Sequence, residues 1–407
     1  MKKMFRLLLL PAIVFVTNSN AQPKPQSEPA QWLTNACNTI HTQLLHAAEN
    51  YQPGLNPRSV KPDGTVRLAP LSDWTTGFFP GNLWYGYEIT KDQKLAGWAE
   101  KFTLALDSIR YLKNTHDLGF MLYCSYGNAY RITNNKQYLP ALTDGAKNLV
   151  SRFSPITGVI RSWDFGDWKY PVIIDNMMNL EYLYWATGTS HNPMYANAAN
   201  THALTTMKNH FRKDYSSYHV VDYDPATGKV LQKQTHQGLT NESSWARGQG
   251  WGLYGYTMCY RNSGDARFLE QAQKIAGFIM KHPSMPKDKI PAWDLDVHNA
   301  LDKEFPAARD ASAAAVIASA LLDLSTQVKN GQPYFDYAQD ILKSLSSEAY
   351  LAKPGENQYF LLKHSVGAFL YNSEIDTPIN YADYYYLEAL KKYISLKKID
   401  SKELSRR

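Results

Sequence analysis

Residues 96–113 read AGWAEKFTLALDSIRYLK. Phe102, Leu106, Ile109 and Leu112 recur at steps of three and four, so they share one face of a helix. Glu100, Lys101, Asp107 and Arg110 fill the other faces, as in a helix buried on one side only. The same spacing predicts helices over 32–50, 77–90, 119–133, 137–153, 175–188, 193–211, 243–262, 267–282, 310–327, 333–350 and 380–394. Turn signals separate them, among them Asn134-Asn135, Thr187-Gly188-Thr189, Ser263-Gly264-Asp265 and Asn330-Gly331-Gln332. Twelve helices make six hairpins, and six hairpins set in a ring make an all-α, (α/α)6 barrel. An open α-solenoid is the competing arrangement, but no motif recurs at a fixed period. Strand-like runs, VIRSWDF (159–165) and YHVVDYD (218–224), fall in the connections.

The first residues, MKKMFRLLLLPAIVFVTNSNAQ, pair a positive start with a short apolar run and a small-residue cleavage site. That pattern predicts a signal peptide over 1–21 and a periplasmic or secreted protein, with no membrane association once it is cleaved. Residues 22–31 are expected to be a disordered leader, 32–397 one barrel domain and 398–407 a charged tail. Losing Lys2, Lys3 and Arg6 takes the formal net charge from +6 to +3, too even to indicate a nucleic-acid partner. Cys37, Cys124 and Cys259 lie far apart, with neither zinc spacing nor a dense disulfide framework. The histidines are scattered with no His-x-x-x-His pair, so no metal is expected.

Aromatic residues make up 13% of the chain. Trp74, Trp84, Trp163, Trp168, Trp245, Trp251 and Trp293 are candidates for walls on which sugar rings stack, or else for core. Asp175 stands alone in the mostly apolar run VIIDNMMNL (172–180). It begins a predicted helix, so it is either an N-cap or an acid kept protonated by its surroundings. Asp117 precedes a helix and has the same two readings. Arg247 and Trp251 are four apart and share a helix face. They form either a structural Arg-over-Trp pair or a site in which the guanidinium grips a carboxylate and the indole stacks on a ring. Asp310 reads as the N-cap of an alanine-rich helix.

Seven segments together carry a family likeness: WTTGFFPGNLW (74–84), HDLGF (116–120), IIDNMMNL (173–180), THQG (235–238), SSWARGQGWG (243–252), RDASAAAVIASALL (309–322) and EIDTPINYADYYYLEAL (374–390). The chain resembles glycoside hydrolase family 88, the unsaturated glucuronyl hydrolases, over nearly all of 32–393. The resemblance implies an (α/α)6 barrel that acts without a cofactor on oligosaccharides ending in a 4,5-unsaturated uronic acid. Such enzymes hydrate the double bond: a proton goes to carbon 4, water adds to carbon 5, and the resulting hemiketal opens. By resemblance Asp175 is the general acid and Asp117 its partner across the mouth. His116, Trp74, Trp163, His219, His236, Gln237, Arg247, Trp251 and Ser365 match substrate-contact positions. One departure stands out. Members that accept 6-sulfated disaccharides carry Ser-x-x-Ser-x-Lys, where this chain has Ser365, Ala368 and Leu370. Lys363 and His364 lie close by as alternative charges. Competing readings are an unsaturated rhamnogalacturonyl hydrolase, an ordinary inverting glycosidase and a non-catalytic periplasmic glycan-binding protein.

Overall fold

The structure is a computed structural model and describes residues 30–297, 307–400 and Leu404. The predicted signal peptide (1–21) and most of the expected leader and tail lie outside the described residues. Twelve α-helices form among the described residues: α1 (Gln31–Asn50), α2 (Phe78–Thr90), α3 (Gln93–Leu104), α4 (Asn128–Thr133), α5 (Leu139–Val150), α6 (Asn176–Ser190), α7 (Met194–Asn209), α8 (Ala246–Ser263), α9 (Ala266–Lys281), α10 (Ala311–Gln327), α11 (Gln332–Leu345) and α12 (Asn380–Leu396). A π-helical segment, Gly119–Gly127, runs directly into α4.

The even-numbered helices form an inner ring. Starting at α2, each packs on the next through the π segment, α6, α8, α10 and α12, and α12 returns to α2. The odd-numbered helices pack outside this ring. This is the expected (α/α)6 barrel, and sequence sorts its two layers. In α10 every residue from Ala311 to Leu322 is buried, as is every residue of α8 from Ala246 to Cys259. The outer helix α9 buries only Phe268, Gln271, Ala272, Ile275, Ala276 and Ile279, one stripe at helical spacing. A helix apolar all round belongs inside, and one with a single stripe belongs outside.

The two ends of the ring differ. Inner helices pass to outer ones through tight turns. α2, α4, α6 and α8 each end on a left-handed residue, Lys91, Asn134, His191 and Gly264, which closes the last turn. Outer helices pass to inner ones through long connections, and these carry all the strands: β1 (Asn56–Val60), β2 (Val66–Ala69), β3 (Phe153–Ser154), β4 (Val159–Ile160), β5 (Pro171–Ile173), β6 (Val220–Tyr223), β7 (Val230–Gln234), β8 (Ser365–Ala368) and β9 (Ser373–Thr377). They form antiparallel sheets β1–β2, β3–β4, β5–β6–β7 and β8–β9. The amino termini of the inner helices therefore open onto one loop-built mouth.

Several boundaries differ from expectation. Residues 96–113 are not one helix. α3 stops at Leu104 and a 3-10 turn covers Asp107–Tyr111, since Asp107 and Ser108 favour turns over helix interiors. Leu106 and Ile109 stay buried, so the apolar face survives the break. α8 starts at Ala246 rather than at 243, because Trp245 bridges to Asp294 and the Ala246 N–H goes to the Trp293 carbonyl. Only Val159 and Ile160 of VIRSWDF are strand. Gln31, placed in the leader, already begins α1, and Leu404 in the tail packs into the main core. The three cysteines are free and buried.

Candidate active site

Asp175 occupies the N-cap position of α6, with helical backbone angles and no side-chain cap bond. The capping reading fails for Asp117 too, which bonds the Thr115 hydroxyl at 2.9 Å instead. The elements that carry the two acids are pinned together. The Phe120 N–H donates to Asn179 Oδ1 at 3.0 Å, joining the π segment to α6. Ser162 joins the segments just ahead of each acid: its carbonyl accepts the His116 N–H at 3.1 Å and its hydroxyl accepts the Ile173 N–H at 3.0 Å.

Asp175 is 7% exposed, and its Oδ2 has no hydrogen-bond partner. Burial pushes the carboxyl up to about 7; Arg247 pulls it down, Asp117 pushes it up further, and the Trp251 indole lowers it. Desolvation thus outweighs the helix terminus and the nearby cation, leaving an acid that keeps its proton near neutrality. His219 lies behind it, Nε2 to Oδ2 3.6 Å. His116 is 2% exposed and kept neutral mainly by burial, with Asp117 Oδ1 3.2 Å from its Nε2.

Arg247 does not meet the expectation of a free two-bond carboxylate clamp. Its Nη1 donates to Asp310 Oδ2 at 3.0 Å and to the Val366 carbonyl at 2.5 Å, and its Nη2 donates to the Gly367 carbonyl at 2.7 Å. The nitrogen left without a partner is Nε. Trp251, expected to stack on the substrate ring, is 0% exposed, with Phe120 and Tyr385 against it at 5.4 and 5.3 Å. Its position in the inner ring puts the faces of the indole in the core, so what it offers is its N–H, which is buried without a hydrogen-bond partner and close enough to Asp175 to favour the carboxylate.

The remaining aromatics divide cleanly. Trp84, Trp245, Trp251 and Trp293 are core. Trp74 is half-buried, 5.4 Å from Phe120 and 5.1 Å from Tyr381. Trp163 stacks on exposed Phe165 at 5.0 Å and lies 5.5 Å from His236, which Tyr371 bonds at 2.8 Å. Trp168 completes this rim, 5.8 Å from His236. The Gln237 side chain donates to the Gly367 carbonyl at 3.1 Å. Ser365 is buried in β8 with its hydroxyl unpartnered.

No protein-family model matches the chain. An unsaturated glucuronyl hydrolase of Formosa agariphila is 42% identical over 400 residues, covering 96% of this chain and 98% of the relative. A crystal structure of an unsaturated glucuronyl hydrolase specific for heparin is 69% identical, with TM-score 0.89 over 91% of this chain and 98% of that one. A mutant of the Streptococcus agalactiae unsaturated glucuronyl hydrolase, complexed with dGlcA-GalNAc6S, is 27% identical, with TM-score 0.75 over 89% and 91%. This chain belongs to the unsaturated glucuronyl hydrolases. Family membership makes it a glycoside hydrolase and sets aside the rhamnogalacturonyl and binding-protein readings.

Several residues of this unsaturated glucuronyl hydrolase site escape a reading of the sequence. Asp310 does cap α10 through Ser312, as expected, but also pairs with Arg247, 63 positions away. Arg58 joins Glu374 of β9 to Asp73, next to Trp74. Only fold-level pairing brings these charges together. The opposite end of the ring holds a cavity of about 250 Å³ lined by Tyr85, Tyr123, Tyr254, Arg261 and Glu388. Its charges pair within the wall: Arg261 with Glu181 and Asp323, Lys392 with Glu388, Arg131 with Glu88.

Proposed function

We propose that this enzyme releases the 4,5-unsaturated uronic acid from the non-reducing end of lyase-made glycosaminoglycan oligosaccharides, with heparin-type disaccharides preferred. The observation that carries the reading is Asp175, a buried carboxyl held at about 7 and facing the mouth beside Asp117. Asp175 gives its proton to carbon 4, and its carboxylate takes one from the water that adds at carbon 5. The hemiketal then opens and the glycosidic bond is lost. Asp117 holds ring hydroxyls, with His116 beside it. Arg247 Nε and the Ser365 hydroxyl are the unengaged donors on the β8 side. Trp74 walls the uronate, while Trp163 and His236 pack the next sugar. A positioned acid of this kind supplies about 10²–10⁴-fold.

The heparin preference has two supports. The relative that is 69% identical is described as specific for heparin. Ala368 and Leu370 stand where sulfate-accepting members carry serine and lysine. The amino-terminal pattern of 1–21 supports export, so the substrates would be met outside the cytoplasm.

Hydration removes the ultraviolet absorbance of the unsaturated ring. Absorbance is expected to fall on lyase-made heparin disaccharides faster than on chondroitin or hyaluronan ones. Sugar release from saturated substrates alone would instead make this an ordinary inverting glycosidase. Faster turnover of 6-sulfated chondroitin disaccharides would sink the heparin preference.

A further inference from the structure

Nε2 of His219 and Oδ2 of Asp175 face each other at 3.6 Å, both buried and both without a hydrogen-bond partner. Buried polar atoms rarely go unpaired, and two that face each other are rarer still. The other ring nitrogen explains the arrangement. Nδ1 of His219 accepts the backbone N–H of His236 and that of Gln237, each at 3.0 Å. A nitrogen that accepts two hydrogen bonds carries no proton, so the proton of the neutral ring sits on Nε2. Burial holds the ring neutral, far below the usual histidine range, and His236, Arg247, His210 and His116 push the same way.

The ring is also fixed in place. Trp245 packs on it at 4.6 Å, and the His219 carbonyl accepts the N–H of Ile174, the residue before Asp175. A permanent N–H therefore points at one oxygen of the acid. At 3.6 Å it makes no hydrogen bond to a neutral carboxyl, whereas a carboxylate draws such a donor in to a charge-assisted bond. Oδ2 is sealed from solvent, which leaves Oδ1 to face the mouth.

We propose that His219 is a positioning residue that divides the work of the two Asp175 oxygens: Oδ1 gives and takes the proton, while the His219 Nε2–H receives the negative charge on Oδ2. The proposal rests on the hydration reading above. The proton leaves Oδ1 for carbon 4, where the double-bond electron pair forms the new C–H bond. Water oxygen bonds carbon 5 and returns a proton to Oδ1. His219 keeps its own proton throughout. The THQG segment (235–238) then acts on the acid through its main chain, which fixes the tautomer, as much as through its side chains. Arg247 from α8 and Asp117 from ahead of the π segment also face Asp175, and both stay in place in the variants below.

The decisive measurement is ¹⁵N NMR of histidine-labelled free enzyme between about pH 5.5 and 8.5. His219 should show a protonated Nε2 and a bare Nδ1 throughout. Its Nε2 signal should move as Asp175 ionises, and that movement should vanish in Asp175→Asn. A proton on Nδ1, or an imidazolium in this range, overturns the proposal. No substrate is present, so this outcome is independent of the ultraviolet assay that tests the hydration reading. Kinetics give a second readout. His219→Ala should cut kcat roughly 10- to 100-fold with KM held within about twofold. Its alkaline limb should move to higher pH, because the carboxylate has lost a donor that favours ionisation. His219→Gln, whose amide can donate in the same direction, should recover part of the loss. A raised KM with unchanged kcat would make His219 a substrate contact and overturn the proposal.

Discussion

Asp175 keeps its proton near neutrality because of where its carboxyl sits, and the cost of that placement should be measurable in stability. Burial raises its pKa from 3.8 to about 7. An acid raised in this way favours the folded state while protonated, and that contribution is lost as pH rises from about 4 through about 7. Asp175→Asn removes the penalty of a buried ion while keeping the shape. Relative to wild type it should be no more stable at pH 4 and up to about 4 kcal/mol more stable at pH 8, at about 1.4 kcal/mol per unit. Denaturation at the two pH values measures the difference, and activity should be abolished in the same protein. A variant equally destabilised at both values would mean that Asp175 is held by bonds to its ionised form. Asp117 makes the second test. Its charge raises Asp175, so Asp117→Asn should shift the alkaline limb of the residual activity to lower pH. A limb that stays in place would show that the two acids are not electrostatically coupled.

The β8–β9 hairpin is the element on which the mouth depends. It takes Arg247 on the Val366 and Gly367 carbonyls, and Gln237 on Gly367. Arg58 holds Glu374 of β9 through two bonds of 2.8 Å and reaches Asp73 at 2.6 Å, linking the hairpin to the Trp74 segment. Burial alone would raise the Glu374 carboxyl; Arg58 outweighs it and holds the group below its usual range. A depressed acid contributes stability above its unfolded value of 4.5, and that is lost as pH falls through the folded one. Glu374→Gln should therefore cost about 2–3 kcal/mol at pH 7, and that cost should shrink only as pH falls below 4.5 through the depressed folded value, with faster hydrogen exchange confined to 365–377. Exchange that is unchanged there would mean the hairpin is held by its own strands. None of these links was legible in the sequence. Periodicity located twelve helices because each is a local pattern, and the VIIDNMMNL run flagged Asp175 because its apolar neighbours are contiguous. Arg58 and Glu374 are 316 positions apart, and nothing local marks them as a pair. Trp251 was misjudged for a related reason, since helical spacing fixes which residues share a face but not whether that face meets solvent or core.

At the scale of the whole molecule, the inner ring must close on itself, and Gly81 stands where α2, α12 and the π segment meet. A Cβ there would lie 2.4 Å from a Tyr384 ring carbon and 2.6 Å from the Cys124 carbonyl oxygen. Tyr384 cannot swing clear, because its ring is packed by Phe78 and Tyr85 at 5.3 and 5.2 Å and its hydroxyl accepts from Asn128. The Cys124 carbonyl belongs to the backbone of the segment that follows Asp117. Gly97 is the contrasting case, mid-way along the outer helix α3 with nothing within 4 Å of its would-be Cβ. The same substitution should thus act with opposite sign in the two layers. Gly97→Ala should gain about 0.5–1 kcal/mol by relieving the backbone entropy of a helical glycine. Gly81→Ala forfeits that gain and should lose about 1–3 kcal/mol to overpacking. Because the seam adjoins the π segment, kcat should fall in Gly81→Ala and stay unchanged in Gly97→Ala. Urea denaturation of the pair, read beside the absorbance assay, tests the ring directly: equal effects would mean that the seam between first and last hairpins yields, and that the site is braced by its loops rather than by ring closure.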